Sequence, residues 1–196
     1  MHVLQKLIAY VALPILVSDS RGYLVDEDGF DYMKISFLRD IKAQQRKTIQ
    51  RPVLVRSRYY DEAKPWNERC DVAFAYASQN EIDQSDAINL VNSGCRILVE
   101  GSNMPFTPEA VQILRKASVL IASAMAAGVV AGELELNHEC SLMHWSPEDF
   151  ESKLQRAIKA ATDFGYKKES PEALVHGPLI SAFLTIAKAM TDQGSI

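Results

Sequence analysis

The sequence predicts an α/β fold built on a mainly parallel, doubly wound sheet followed by C-terminal helices. Three observations carry this expectation. Short apolar runs alternate with helix-length segments, each run is continuously apolar instead of alternating in and out, and helix start signals sit between the runs. A strand that is apolar on both sides must be covered on both, which a parallel sheet flanked by helices achieves. The chain has 196 residues, 47% of them apolar and 23% charged, enough to bury a full domain core.

Val3 to Tyr10 reads as the end of an amphipathic helix, and Leu13 to Val17 as a short strand stopped by Ser18 and Asp19. Gly22 to Phe30 reads as a turn or hairpin with Asp28-Gly29 as its tight corner. Asp31 is placed to cap a helix running to about Gln45, with Ile35, Leu38 and Ile41 on one stripe. Val53-Leu54-Val55 is a candidate strand, followed by the aromatic pair Tyr59 and Tyr60 and the rigid Lys64-Pro65-Trp66.

Asp71 to Tyr76 is the next strand and ends in the polar loop Ala77-Ser78-Gln79-Asn80-Glu81; a helix from Asp83 to Ser93 then stops at Gly94. Arg96 to Val99 repeats the pattern and ends in Glu100-Gly101-Ser102-Asn103-Met104-Pro105. Thr107-Pro108-Glu109-Ala110 starts another helix, with a hydroxyl N-cap, proline at the first helical position and acid in the first turn. That helix ends near Ala117, and Val119 to Ala122 is the last strand. Ser146-Pro147-Glu148-Asp149 and Ser170-Pro171-Glu172-Ala173 repeat the start signal, so the C-terminal third is expected to be helical, divided near Gly165 and at Gly177-Pro178. The sheet is expected over residues 1–125 and a helical segment packed on it over 126–196.

Charge and cysteine use narrow the function. A net charge of −4 with no long basic run argues against a nucleic-acid partner. Leu7 to Val17 is too short to span a bilayer, is interrupted by Pro14 and lacks a small-x-small cleavage site, so it reads as neither membrane anchor nor secretory signal. Cys70, Cys95 and Cys140 have no C-x-x-C spacing, which argues against a zinc knuckle or redox dithiol and for a reducing compartment such as the cytoplasm, with an organelle as the alternative. Cys70 and Cys95 each open an apolar strand, as small buried hydrophobes do.

In an open α/β sheet the carboxyl ends of the strands are where a nucleotide or substrate lies, and free helix-start N–H groups favour its phosphates. The two polar loops, Ala77–Glu81 and Gly101–Pro105, are expected to meet at such an edge. No G-x-G-x-x-G and no G-x-x-x-x-G-K occurs. Asp19 sits where an acid at a strand end would meet an adenosine ribose, with Ser18, Ser20 and Arg21 around it. A polar turn accounts for the same residues and carries more weight on composition alone. Lys42 and Arg46, four apart on one helix face, read as a solvated stripe unless Asp19 and Arg21 lie nearby, in which case the cations suit a 2′-phosphate. His138 and His144, with Cys140 between them, fall on different helix faces and do not read as a metal site. No Ser-His-Asp or Cys-His nucleophile set can be assembled.

Longer motifs then carry a resemblance. The run Lys64-Pro65-Trp66-Asn67-Glu68-Arg69-Cys70-Asp71-Val72-Ala73, the segments Ala77-Ser78-Gln79-Asn80-Glu81, Asp86 to Cys95 and Val99-Glu100-Gly101-Ser102-Asn103-Met104-Pro105, and then Glu109-Ala110, together resemble the cofactor domain of hexameric, NADP-type glutamate dehydrogenases. The likeness extends from Ser18-Asp19-Ser20-Arg21-Gly22-Tyr23 to Ala187-Lys188-Ala189-Met190 and Gln193-Gly194. It implies a Rossmann-like dinucleotide-binding domain over 1–125 and oxidative deamination of L-glutamate to 2-oxoglutarate and ammonia, or the reverse, with NADP or alternatively NAD. By that similarity Ala77, Ser78, Gln79, Asn80, Gly101, Ser102 and Asn103 line the dinucleotide cleft, with Asn103 near the nicotinamide. Ser18, Asp19, Ser20 and Arg21, with Lys42 and Arg46, meet the adenosine ribose and its phosphate. Val129 and Gly132 fall on the substrate side.

The departures from the family pattern set further expectations. The substrate domain with its catalytic lysine and aspartate has no counterpart, so no catalytic residue is assigned, and the first strand with its glycine-rich turn is missing. Its absence is expected to leave a gap beside the Leu13–Val17 strand or a substitute pairing, with Val53–Val55 as the substitute. Ala75-Tyr76 stands where relatives carry Pro-Cys, placing an aromatic ring that crowds the cleft, and Gly132 stands where a serine would hold the substrate's distal carboxylate. A non-catalytic remnant that docks on full-length subunits, a homo-oligomer, and a truncated product without stable function are the alternatives to an enzyme.

Overall fold

The computed structural model describes residues 2–45, 56–124, the positions 146, 148, 149, 151, 152, 155 and 159, and residues 173–194. The expected strand Val53–Val55 and the expected boundary at 125/126 lie outside them. The chain divides into two compact units, Met1–Glu68 and Arg69–Ile196. The described strands form two separate three-stranded sheets, one in each unit.

The first unit contains α1 (His2–Ala9), β1 (Leu16–Ser18), β2 (Gly22–Asp26), α2 (Tyr32–Gln45) and β3 (Ser57–Asp61). Its sheet has the order β1-β2-β3 and is antiparallel throughout, in contrast to the mainly parallel expectation for this segment. The reason is the connection: β1 and β2 are joined by three residues, whereas a parallel pair needs a crossover of roughly a dozen or more. The hairpin corner is therefore Asp19–Arg21 and not Asp28-Gly29. Asp19 N–H donates to the Gly22 carbonyl (2.9 Å), and the Asp19 carboxylate accepts from Arg21 N–H (3.0 Å). Asp28-Gly29 instead turns the chain from β2 towards α2, with Gly29 N–H donating to the Asp26 carbonyl at φ +81°.

The β1 strand starts later than Leu13 because Pro14 has no N–H to give to a ladder; its carbonyl takes Phe30 N–H at 2.7 Å while Leu13 stays exposed. Asp31 caps α2 as expected, accepting from Lys34 N–H at 2.7 Å. Leu24, Phe30, Ile35 and Leu38 form the core of this unit, and Leu4 and Ile8 of α1, Val17 and Tyr59 pack against it. Below the fully buried β2, Asp26 carries the charge: its Oδ2 lies 2.8 Å from Lys34 Nζ and its Oδ1 accepts from Asp28 N–H. Tyr23 stacks on Tyr60 at 4.7 Å and donates its hydroxyl to Glu68. The α1 helix closes on Val11 in the left-handed region (φ 62°), with Val11 N–H donating to Ile8 and Ala12 N–H to Leu7. This is a Schellman closure that ordinarily takes glycine.

The second unit contains β4 (Val72–Ala75), α3 (Gln84–Asn92), β5 (Ile97–Glu100), α4 (Pro108–Lys116), β6 (Leu120–Ala122) and α5 (Ala173–Asp192). Strands β4, β5 and β6 pair in parallel in that order, in the registers Val72↔Ile97 and Ile97↔Leu120, with α3 and α4 as the two crossovers. Ala87 and Leu90 of α3 and Ala110 and Leu114 of α4 are buried together with Ala73, Ala75, Leu98 and Ile121 of the sheet. The helix ends follow the local signals. Asp83 and Asp86 make a reciprocal capping box, Thr107 caps α4 with Pro108 at its first position, and Gly94 (φ +87°) ends α3. Ser146 caps the next start, accepting from Asp149 N–H at 3.1 Å. The α5 helix runs unbroken through Gly177-Pro178, where a division was expected. Pro178 lies in its second turn, so the ring removes one hydrogen bond to the preceding turn while its fixed φ stays helical.

Asp83 accepts from both Ser85 N–H (2.8 Å) and Asp86 N–H (3.0 Å). Replacing it with alanine is expected to lower stability by about 1 kcal/mol, the usual cost of losing an N-cap. A lower urea midpoint at unchanged slope is the readout, and an unchanged midpoint would count against the cap.

Candidate functional site

The two polar loops leave the carboxyl ends of β4 and β5 and are joined to one another by backbone hydrogen bonds. The Ala75 carbonyl accepts from both Gly101 N–H (2.8 Å) and Ser102 N–H (3.1 Å). Asn80 N–H donates to Met104 O (3.0 Å), Ile82 N–H to Pro105 O (2.9 Å) and Thr107 N–H to Ile82 O (3.1 Å), so Ile82 and Phe106 form a one-residue parallel bridge. The Ser102 hydroxyl reaches the Ser78 carbonyl at 3.4 Å. Where the loops touch, Asn80 (φ 52°) and Met104 (φ 51°) both adopt the left-handed conformation. Asparagine tolerates that region; methionine is held in it by the surrounding bonds.

Tyr76 sits on this edge. A Cβ on Gly101 would fall 2.2 Å from the Tyr76 ring, so the glycine is required by the close approach of that ring. Tyr76 also stacks on Phe74, with centroids 6.1 Å apart, and remains half-exposed; burial of the remainder pushes its hydroxyl pKa up. The ring therefore covers the face of Gly101.

The expectation of free helix-start N–H groups needs correction. In the first turn of α3 the Ser85 and Asp86 N–H groups are taken by the Asp83 carboxylate, and in α4 the Ala110 N–H by the Thr107 hydroxyl (3.3 Å). Two acids that sequence reasoning left without a role act in the same way. The Glu81 carboxylate accepts from Ala77 N–H (3.0 Å), and Glu100, at the end of β5, accepts from Ala124 N–H (2.7 Å). Their signal in the sequence was an acid directly following each polar or apolar run. The edge thus combines the exposed hydroxyl of Ser78 and the exposed side-chain amides of Gln79, Asn80 and Asn103 with three carboxylates that accept from nearby N–H groups. Such a surface suits uncharged polar groups and disfavours a phosphate.

The remaining described candidates lie in the first unit. Ser18, Asp19, Ser20 and Arg21 form the β1–β2 corner, where the polar-turn reading is realised by the Asp19-to-Arg21 bond. Glu62 N–H donates to the Arg21 carbonyl at 2.5 Å, fixing the corner to the chain beyond β3. Tyr59 has its hydroxyl pKa pushed up by burial first and then by the Asp61 and Asp19 carboxylates, with Arg21 offsetting part of the effect. Lys42 is exposed on α2. Arg46, Val129 and Gly132, like His138, Cys140 and His144, lie outside the described residues. Among the described residues there is no metal-ligating cluster, and no helix is long and apolar enough to cross a membrane.

A parallel sheet with helical crossovers and converging loops at its carboxyl edge defines a Rossmann-like α/β protein. Solved structures agree. Glutamate dehydrogenase from Plasmodium falciparum superposes with a TM-score of 0.85 at 28% identity, over 100% of this chain and 44% of that one. A hetero-hexameric glutamate dehydrogenase from Thermus thermophilus shares the fold at TM-score 0.73 and 18% identity. In sequence, the glutamate dehydrogenase of Bacteroides thetaiotaomicron is 34% identical over 203 residues, covering 100% of this chain and 46% of its own length. The NADP-specific glutamate dehydrogenase of Escherichia coli is 32% identical over 203 residues, covering 100% and 45%. The family model described as Glutamate/Leucine/Phenylalanine/Valine dehydrogenase matches residues 1–194, and the chain belongs to that family. It spans a little under half the length of these relatives.

Proposed function

We propose that this chain provides the nicotinamide-nucleotide-binding part of a glutamate dehydrogenase-like oxidoreductase and turns over L-glutamate or 2-oxoglutarate only with a second lobe. The observation that carries the reading is the mutual bonding of the loops Ala77–Glu81 and Gly101–Pro105 at one sheet edge, in a chain whose relatives are named NADP-specific or NAD(P)-specific glutamate dehydrogenases. The uncharged groups of Ser78, Gln79, Asn80, Ser102 and Asn103 suit the carboxamide and ribose of the nicotinamide half, whereas Glu81, Asp83 and Glu100 disfavour a diphosphate there. The bound nicotinamide supplies the hydride acceptor or donor. Asp19 favours a ribose diol, and Arg21, Lys42 and Arg46 favour a 2′-phosphate, which with the relatives' names supports NADP over NAD. Val129 and Gly132 take the substrate side, and the chain works as a homo-oligomer or docked on full-length subunits, in the cytoplasm. A division into a dinucleotide-binding part over 1–125 and a helical part over 126–196 completes this reading.

Hydride transfer needs the substrate carbon held against the nicotinamide and a group that manages the proton on nitrogen. No described residue of this chain is assigned either task, and this reading gives both to an opposing lobe. Titration with NADPH and NADH, followed by fluorescence, is expected to give a Kd weaker than about 1 μM, because Glu81, Asp83 and Glu100 disfavour a diphosphate at this edge. Glutamate-dependent NADPH formation is expected only when a separately made substrate lobe of an intact relative is added. Sub-micromolar binding, or turnover by the chain alone after removal of host enzyme, would overturn the reading; docking without any nucleotide binding would instead favour an assembly module.

A further inference from the structure

We propose that Cys70 and Cys95 form a peroxide-responsive dithiol, in which Cys70 is oxidised by a hydroperoxide and Cys95 converts it to a disulfide joining the entrances of β4 and β5. The two cysteines are far apart in sequence, which is why their spacing gave no redox signal, but the parallel register brings them together. Val72 pairs with Ile97, and the ladder continues one step back, where the Asp71 carbonyl accepts from both Arg96 N–H (2.9 Å) and Ile97 N–H (3.1 Å). One further step sets Cys70 beside Cys95. Neighbouring strands lie about 4.8 Å apart, inside the Cα separation of roughly 4.4–6.8 Å that a disulfide spans. Both cysteines are free thiols, and their side chains are in hydrogen-bonding contact.

The environments of the two thiols differ in the sense the chemistry requires. Cys70 is partly exposed and Cys95 is buried at 5% exposure, so an oxidant from solvent meets Cys70 first. Hydrogen bonds from Cys95 and then from Ser93 favour the Cys70 thiolate, against the opposing effects of burial and of Asp71, and lower its pKa on balance. The Cys95 thiol is pushed up by its bond to Cys70 and by burial, and its sulfur also contacts the Ile97 carbonyl at 3.3 Å. Cys95 is therefore held protonated and is shielded from direct attack.

The Cys70 thiolate sulfur attacks one peroxide oxygen and the O–O bond breaks. The departing oxygen takes a proton and leaves as water or alcohol, giving a Cys70 sulfenic acid. The Cys95 sulfur then bonds to the Cys70 sulfur, and the Cys95 proton departs with the sulfenic hydroxyl as water. Two thiols have lost two electrons and one peroxide has gained them. The Cys95 contact to Ile97 is given up as the bridge forms. The bridged segment contains β4, the first polar loop and α3, so oxidation ties together the base on which that loop stands.

The test treats the reduced full chain with stoichiometric hydrogen peroxide, quenches with an alkylating agent and maps peptides without reduction by mass spectrometry. A Cys70–Cys95 linked peptide, lighter by two hydrogens and reversed by dithiothreitol, is expected, with Tm raised by about 5 °C. In the Cys95→Ala variant, dimedone is expected to trap a sulfenic acid on Cys70; in Cys70→Ala, Cys95 is expected to stay unlabelled. A link to Cys140 or between molecules, labelling of Cys95 in the Cys70 variant, or direct passage of Cys70 to sulfinic acid in the parent chain would overturn the proposal. The linkage map of the parent chain decides the matter if either variant fails to fold.

Discussion

Lys34→Met is expected to lower the stability of the protein by about 3 kcal/mol, the lower end of the range for leaving one partner of a buried pair alone. Asp26 is 0% exposed at the end of β2, and Lys34 Nζ lies 2.8 Å from its Oδ2 and 2.9 Å from the Gly29 carbonyl. Methionine keeps the packing of the lysine stem but removes the charge, so among the described residues the carboxylate keeps the Asp28 N–H at 3.1 Å. The lysine side chain is 24% exposed, and water reaching the vacated position moderates the loss, which places the figure at the low end. The surface pairs Arg56–Asp28 and Arg58–Glu27 are open to solvent on both sides and should change little when broken. Urea unfolding reads the difference. A second variant, Asp26→Asn/Lys34→Met, is expected to recover part of the loss because the buried charge is gone with its partner. A Lys34→Met midpoint within about 1 kcal/mol of the parent would show that Asp26 is compensated by other groups.

Val11→Gly is expected to stabilise the protein by about 1.5 kcal/mol, within the cost of holding an L-residue in the left-handed region. Among the described residues, α1, α3 and α4 end in the same Schellman closure, and their left-handed positions are filled by three different residues: Val11 after α1, Gly94 after α3 and Ser118 (φ 59°) after α4. Only Gly94 is free of steric cost. Valine is the worst placed because its β-branch adds to the clash, and it is 94% exposed, so its removal forfeits no packing. The greater freedom of glycine in the unfolded chain subtracts from the gain. Val11→Ala, which keeps the Cβ, should recover only a fraction of it. A thermal melt in which Val11→Gly matches or falls below the parent would place the strain elsewhere.

What the sequence disclosed depended on whether the signal was local. Asp31, Asp83 and Thr107 announce their helices because an N-cap acts on amides two or three residues away. The strands over 72–75, 97–100 and 120–122 were legible as apolar runs, although among the described residues it is the alternate positions Ala73, Ala75, Leu98 and Ile121 that are buried. Strand β3, Ser-Arg-Tyr-Tyr-Asp over 57–61, was missed because an edge strand with one solvated face carries polar residues, and its tyrosines were the only hint. The corner at Asp19–Arg21 lost to the stronger Asp28-Gly29 signal, because either turn closes locally and only the pairing of Val17 with Leu24 decides between them. The loops of the site were found by their position after the strands. The caps that occupy their neighbouring amides were not, since Glu81 and Glu100 act only once the sheet has aligned them.

Because the two loops exchange backbone hydrogen bonds with each other, neither can shift without breaking the bonds that fix its neighbour. Their shape is set by folding and is present before any ligand arrives. A molecule taken at this edge would have little chain to order, so its affinity would report contact and desolvation with only a small conformational-entropy penalty. The same rigidity makes the edge unforgiving: a group that does not match the existing spacing of amides and carboxylates meets a surface that will not rearrange to receive it.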